Sequence, residues 1–96
     1  MRIEMLTEAK ADLDDGYWFY ENQVIGLGEY FLSSIASDIT SLQLFGGVHM
    51  KHKEKYRMLA SRFPYSIFYS VSENSVFIHA VLDNRRNPKW ISERLN

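Results

Sequence analysis

Three kinds of side chain in this 96-residue sequence could do chemistry: histidines, arginines and grouped carboxylates. His49-x-x-His52 could present two imidazoles, and His79, read as a strand residue, could add a third. That spacing is loose and no carboxylate or cysteine set completes a ligand shell, so no metal or other cofactor is expected. The arginines are more informative. Arg57, Arg62, Arg85 and Arg86 lie in or beside two alternating apolar segments that read as paired strands, and these end in the Arg85-Arg86 pair just before Pro88. Such a layout concentrates positive charge at one sheet edge, where it would suit phosphate or an acidic partner. Plainer roles are a clamp onto Asp83 or onto an acid of the helices, and solvated surface charge. One of the two adjacent arginines is therefore assigned to structure and the other to partner contact. Glu8, Asp12, Asp14 and Asp15 form a cluster only by count, because helical phase scatters them over a solvated face. Of Tyr17, Trp18, Phe19 and Tyr20, at least two should enter the core, leaving the others for a protein partner rather than for stacking on bases.

Composition narrows the classes. The length suits one domain over residues 1–96 with one core. No run approaches the roughly 20 apolar residues of a membrane helix, and no basic-then-apolar leader opens the sequence, so a soluble, cytoplasmic protein without membrane contact is expected. The absence of cysteine excludes disulfides, thiol nucleophiles and cysteine-rich zinc sites. A net charge of -1 conceals a strong division: residues 1–48 carry two cations against eight carboxylates, net -6, and residues 49–96 carry nine against four, net +5. Either the halves neutralise each other within the fold, or a cationic face is left for an acidic partner.

The elements that would position these groups follow from periodicity. Residues 2–6 alternate as a short strand with Ile3 and Met5 on one side. Thr7 reads as a helix cap, and Ala9, Leu13, Tyr17 or Gly16, Tyr20 and Val24 form an apolar stripe in a helix running to about Gln23. Gly26-Leu27-Gly28 makes a turn, and Phe31, Ile35, Ile39 and Leu42 mark a second helix, ended by Gly46-Gly47. His49 to Lys55 reads as an exposed edge or loop. Strands follow around Tyr56–Ala60, around Tyr65–Val71 and over Ser75–Leu82, the last two joined as a hairpin at Ser72-Glu73-Asn74. Asn87 caps a short helix started by Pro88 and running through Leu95. The order β-α-α-β-β-β-α predicts an α+β domain, with a helical hairpin packed on one face of a small, mainly antiparallel twisted sheet.

With these elements in place, the sequence resembles the RelE/ParE superfamily of bacterial type II toxins, most closely the ParE, or plasmid-stabilisation, branch. The resemblance covers nearly the whole chain. It rests on Glu8-Ala9-x-Ala11-Asp12-Leu13, on Tyr17-x-x-Tyr20-x-x-Gln23-x-x-Gly26-Leu27-Gly28-x-x-Phe31, on Arg62-Phe63-Pro64-Tyr65-x-Ile67-x-Tyr69, and on Ala80-Val81-Leu82-x-x-Arg85-Arg86-x-Pro88-x-x-Ile91. The resemblance implies a growth-arresting toxin neutralised by a cognate antitoxin whose C-terminal segment wraps it. Two activities divide the superfamily: ribosome-dependent cleavage of messenger RNA, and inhibition of DNA gyrase.

RelE-type nucleases place an arginine directly after the tyrosine of the central strand, where this chain has Ser66. They also carry a tyrosine, or a histidine-tyrosine pair, near the end, where this chain has Trp90-Ile91. Indole donates through N–H alone and transfers no proton as acid or base. An isoelectric point near 6.3 also runs against a ribosome ligand dominated by phosphate contacts. The resemblance therefore implies a gyrase inhibitor acting by protein binding, with no catalytic residue and no direct nucleic-acid contact. Arg57, Arg62, Arg85, Arg86, Trp90 and Trp18 are the residues expected to meet antitoxin or target. The alternatives are an endoribonuclease with Arg57, Arg62, Arg85 or Arg86 on phosphate, and a degenerate, non-toxic member. A homodimer and a toxin–antitoxin heterotetramer are both open.

Overall fold

A computed structural model describes all of residues 1–96. Five strands form one sheet in the order β1-β5-β4-β3-β2: β1 (Arg2–Met5), β2 (Lys51–His52), β3 (Lys55–Leu59), β4 (Tyr65–Ser72) and β5 (Ser75–Asp83). β1 runs parallel to β5 and every other pairing is antiparallel. Helices α1 (Thr7–Glu21) and α2 (Leu27–Phe45) make the expected hairpin on one face, where Phe31, Ile35, Ile39 and Leu42 meet Tyr65, Ile67, Tyr69, Val76 and Ile78. The α+β architecture is that expected from the sequence.

The second face is covered too. Phe68, Ala80 and Leu82 are buried against Leu95, with Trp90 and Ile91 packed beside them, so α3 (Pro88–Arg94) closes the side away from the hairpin. This explains why Tyr65 to Tyr69 are all buried in a segment whose alternation looked one-sided. An irregularity in the β4–β5 ladder at Phe68/Tyr69 lets Phe68 pair with Ala80 and Tyr69 with Ile78, leaving His79 as the extra residue. Asn87 caps α3 as expected, its side chain accepting from the Lys89 amide at 2.8 Å with Pro88 in the first turn.

Of Tyr17, Trp18, Phe19 and Tyr20 only Tyr20 enters the core, where at least two were expected, and three further local expectations are corrected. Thr7 is not the cap of α1: Leu6 occupies that position, its amide held by the Ile78 carbonyl at 3.0 Å, so the helix springs directly from the end of β1. The helix ends at Glu21 rather than near Gln23, which puts Val24 in the connecting turn and in solvent. The Glu21 carboxylate instead accepts from the amides of Gly26 and Gly28, supplying negative charge at the start of α2, while Gly26 takes φ 91°.

Asp12 is the third correction, since it belongs to the buried face of α1 with Ala9, Gly16 and Tyr20. β1 pairs with β5 only from Ser75 to Ile78, and past that point the Val81 amide faces an open edge. Asp12 Oδ2 accepts from that amide at 3.0 Å, and both its oxygens take the Arg94 guanidinium, at 2.8 and 2.9 Å. One carboxylate thus joins α1, β5 and α3. Removing it strands a cation and a backbone donor together, so Asp12→Ala should lower the unfolding free energy by about 3–5 kcal/mol, read as a fall in urea midpoint. Gly16→Ala tests the same packing: a Cβ there would sit 2.6 Å from the fully buried Phe31 ring, and the expected loss is about 1–3 kcal/mol.

Candidate functional site

Arg57, Arg85 and Arg86 come together at the end of the sheet where β5 turns into α3. The turn is tightly specified. Asn84 N–H donates to the Pro64 carbonyl at 2.7 Å, Arg86 N–H to the Asp83 carbonyl at 3.1 Å, and Arg85 N–H to Asp83 Oδ1 at 2.8 Å. The two adjacent arginines that leave this turn meet different partners.

Arg85 grips Asp83 with Nε at 2.9 Å and Nη2 at 2.6 Å, also reaches the Tyr20 hydroxyl at 3.4 Å, and lies over the Phe19 ring of α1. The guanidinium hydrogen bonds hold the Asp83 carboxyl below its ordinary range, against the opposing effect of burial. Arg86 stacks on Trp90, 3.7 Å from the ring centre, with Arg94 on the same indole at 5.5 Å. It has no carboxylate partner, the ion pairs of the molecule being Arg2–Glu4, Arg85–Asp83 and Arg94–Asp12.

Arg57, on β3, joins Arg86 through the same turn. Its Nε donates to Ser66 Oγ at 2.7 Å and its Nη2 to Asn84 Oδ1 at 3.1 Å, while Ser66 Oγ donates to the same Asn84 oxygen. Ser66 is fully buried, so this is a fixed seat for an otherwise exposed guanidinium. Arg62 stands apart in the bend before β4, exposed and without an ion pair. Trp18 lies on α1 beside a separate hollow lined by Lys10, Leu13, Tyr17 and Leu32. Of the six residues singled out in the sequence, Arg57, Arg86 and Trp90 are thus linked around one turn, Arg85 is ion-paired beside it, and Arg62 and Trp18 lie elsewhere. Asn84 and Ser66 were missed as positioning residues; Asn84 could have been noticed as the polar neighbour of the arginine pair.

The histidines do not converge, and no three His, Cys, Asp or Glu side chains are gathered as a ligand set. His49 Nδ1 shares a hydrogen bond with the Tyr69 hydroxyl, which also accepts from the Gly47 amide. His79 Nε2 pairs with Ser70 Oγ at 2.7 Å, and burial followed by the nearby charge of Lys55 lowers its pKa. His52 sits beside the Phe68 ring, 6.1 Å between centres.

A second surface adjoins the basic end. Leu44, Phe45, Val48, Met50 and Leu59 are all exposed. β2 is only two residues long and its pairing with β3 ends at the bond from Arg57 N–H to the Met50 carbonyl. Strand alternation places the Leu59 amide and carbonyl on the same outer side with no strand beside them. The result is an open edge flanked by apolar side chains and by Lys51 and Arg57.

The Asp83 clamp has a pH signature. Its folded-state pKa is depressed, so its contribution is present above the ordinary aspartate value of 3.8 and is lost as pH falls through the lower, folded-state value. Asp83→Asn should flatten the decline in melting temperature below about pH 4, relative to the unaltered protein in the same acid series.

No protein-family model and no curated protein matches this chain. Among solved structures, a chain described as belonging to the "Chromosomal ParDE TA system from P. aeruginosa" superposes with a TM-score of 0.69 at 22% identity, covering 84% of this chain and 92% of that one. Nearly the whole length of both chains therefore shares one fold, the ParE-like architecture that the sequence resemblance implied.

Proposed function

We propose that the chain is the toxin of a bacterial type II toxin–antitoxin module, cytoplasmic, neutralised by a cognate antitoxin, and active by binding DNA gyrase rather than by catalysis. The observation that carries the reading is the near-complete shared fold with a chain from a ParDE system. The absence of RelE-type nuclease groups supports the target. The position after Tyr65 holds Ser66, buried and already hydrogen-bonded, and the indole of Trp90 is stacked under Arg86. Neither is a general acid or base.

The antitoxin reading draws on the open edge of β3. An extended segment with alternating apolar residues would extend the sheet there, setting its side chains on Met50 and Leu59 and its acids near Lys51 and Arg57. Only the Asp12–Arg94 ion pair joins the acidic and basic halves of the chain, so the cationic surface remains available for such a partner.

Two outcomes follow. Induction of the chain alone should arrest growth, and co-expression of a small acidic protein from the adjacent reading frame should restore it; continued growth on induction contradicts the toxin reading. Replacing both Met50 and Leu59 with Glu should weaken antitoxin binding at least about tenfold by calorimetry, since an apolar contact would be exchanged for carboxylates facing acids. Undiminished affinity would remove the β3 edge from the interface.

A further inference from the structure

β1 ends at Met5 while β5 runs on to Asp83, and beyond that end α1, the free edge of β5 and α3 enclose a hollow of about 300 Å³. This is the lower end of the range of small-ligand sites, roughly 300–1,000 Å³. Two aromatic rings line it, Phe19 of α1, half exposed, and the indole of Trp90. Tyr65 lines it as well and is only 6% exposed, yet its hydroxyl has no hydrogen-bond partner in the protein. That hydroxyl lies beside Gly16, where a Cβ would stand 3.4 Å from it, and Gly16 borders the same hollow. Burial above all pushes the phenol's pKa up, so it keeps a proton to donate. A polar group held at the inner wall of a hollow without a partner is one that a bound molecule can satisfy.

The charges around the hollow are matched except for two. Asp12 is held by Arg94 and Asp83 by Arg85. Asp15 and Arg86 remain: both line the hollow, both are exposed, and neither takes part in an ion pair. Arg94 feels the charge of Asp15, but two of its guanidinium nitrogens are committed to Asp12. Arg86 is steadied by its stacking on Trp90, which leaves its N–H groups without a protein acceptor and limits the rotamer freedom lost on binding. A simple anion in this hollow would meet Asp15, and a simple cation would meet Arg86; like charges so placed are unfavourable. A small molecule that carries both charges satisfies both residues.

We propose that this hollow binds a free α-amino acid, its ammonium on Asp15, its carboxylate on Arg86 and a polar side chain at the Tyr65 hydroxyl. Phe19 and Trp90 flank the ligand's methylene groups. The site involves binding alone, and no bond is made or broken. It extends beyond the toxin reading, which requires no small ligand, and its failure would leave growth arrest and antitoxin rescue to be judged separately.

The test is a titration of the isotopically labelled full chain with L-glutamine, and with acetate and methylammonium as single-charge controls, at constant ionic strength, followed by nuclear magnetic resonance. Saturable shifts are expected with glutamine at the Trp90 indole N–H and at the rings of Phe19 and Tyr65, and not at the Trp18 indole, which borders a different hollow. Acetate and methylammonium should each bind at least about tenfold more weakly, since each leaves one charge unmatched. Asp15→Asn and Arg86→Gln should each weaken glutamine binding about tenfold, the loss expected for one charge-assisted hydrogen bond. Both side chains are exposed, so these variants keep the fold. Tyr65→Phe separates a ligand-binding hydroxyl from a structural one: it should weaken glutamine binding about threefold and leave the melting temperature of the free protein unchanged or raised, because no protein hydrogen bond is lost. Absence of saturable shifts with glutamine overturns the proposal, as does equal affinity for either control or unchanged affinity in Asp15→Asn or Arg86→Gln. Unchanged affinity or a lower melting temperature in Tyr65→Phe overturns the part given to the hydroxyl.

Discussion

The fold depends on one carboxylate at a place where the sheet runs out of partners. β5 has nine residues, and β1, its neighbour on that side, has only four. Beyond β1, the Val81 amide would be an unpaired buried donor, and Asp12 supplies its acceptor from α1 at 3.0 Å. Burying that carboxylate would itself be costly, and Arg94 neutralises it with two parallel bonds from α3. Each member therefore makes the next tolerable. The constraint fixes the height of the helical hairpin on one face and brings α3 against the other.

That placement decides what the basic end can do. With α1 seated by Asp12, Phe19 and Tyr20 reach the β5–α3 turn and meet Arg85, which is held there with Asp83. With α3 seated by Arg94, Trp90 lies where Arg86 stacks on it. The adjacent arginines thus divide between partners, Arg85 engaged by the Asp83 carboxylate and Arg86 stacked on the Trp90 indole. Only one ion pair connects the acidic first half to the basic second half, so the two do not neutralise each other by direct contact, and the cationic surface persists on a chain whose net charge is -1.

The sequence made four of the five strands and both long helices legible because their apolar residues recur at the period of each element, whereas the two-residue β2, Lys51–His52, has no apolar residue to mark it. Phe31, Ile35, Ile39 and Leu42 were identified as a buried stripe, and all four are. Asp12 defeated the same logic: by type it belonged in water, and only the unequal lengths of β1 and β5, a tertiary fact, make a buried acid favourable at that position. The two-sided burial of β4 was hidden for a similar reason, since Ser66 and Ser70 interrupt the apolar run on the face that α3 covers. The arginines were recognisable as a group and their division into one structural and one free member was expected, but which of the pair takes which part was not, because it turns on which neighbour each can reach across the fold. Asn84, which links Arg57 and Ser66, carried no signal beyond its place next to the arginine pair.

The role proposed for this chain is binding to DNA gyrase without cleavage of RNA. Supercoiling by purified DNA gyrase and translation of a reporter message, with primer extension to detect cuts, measured side by side over the same range of added protein, test it most directly. The account predicts loss of supercoiling at concentrations that leave translation and the message intact. Ribosome-dependent cleavage of the message with normal supercoiling would contradict it.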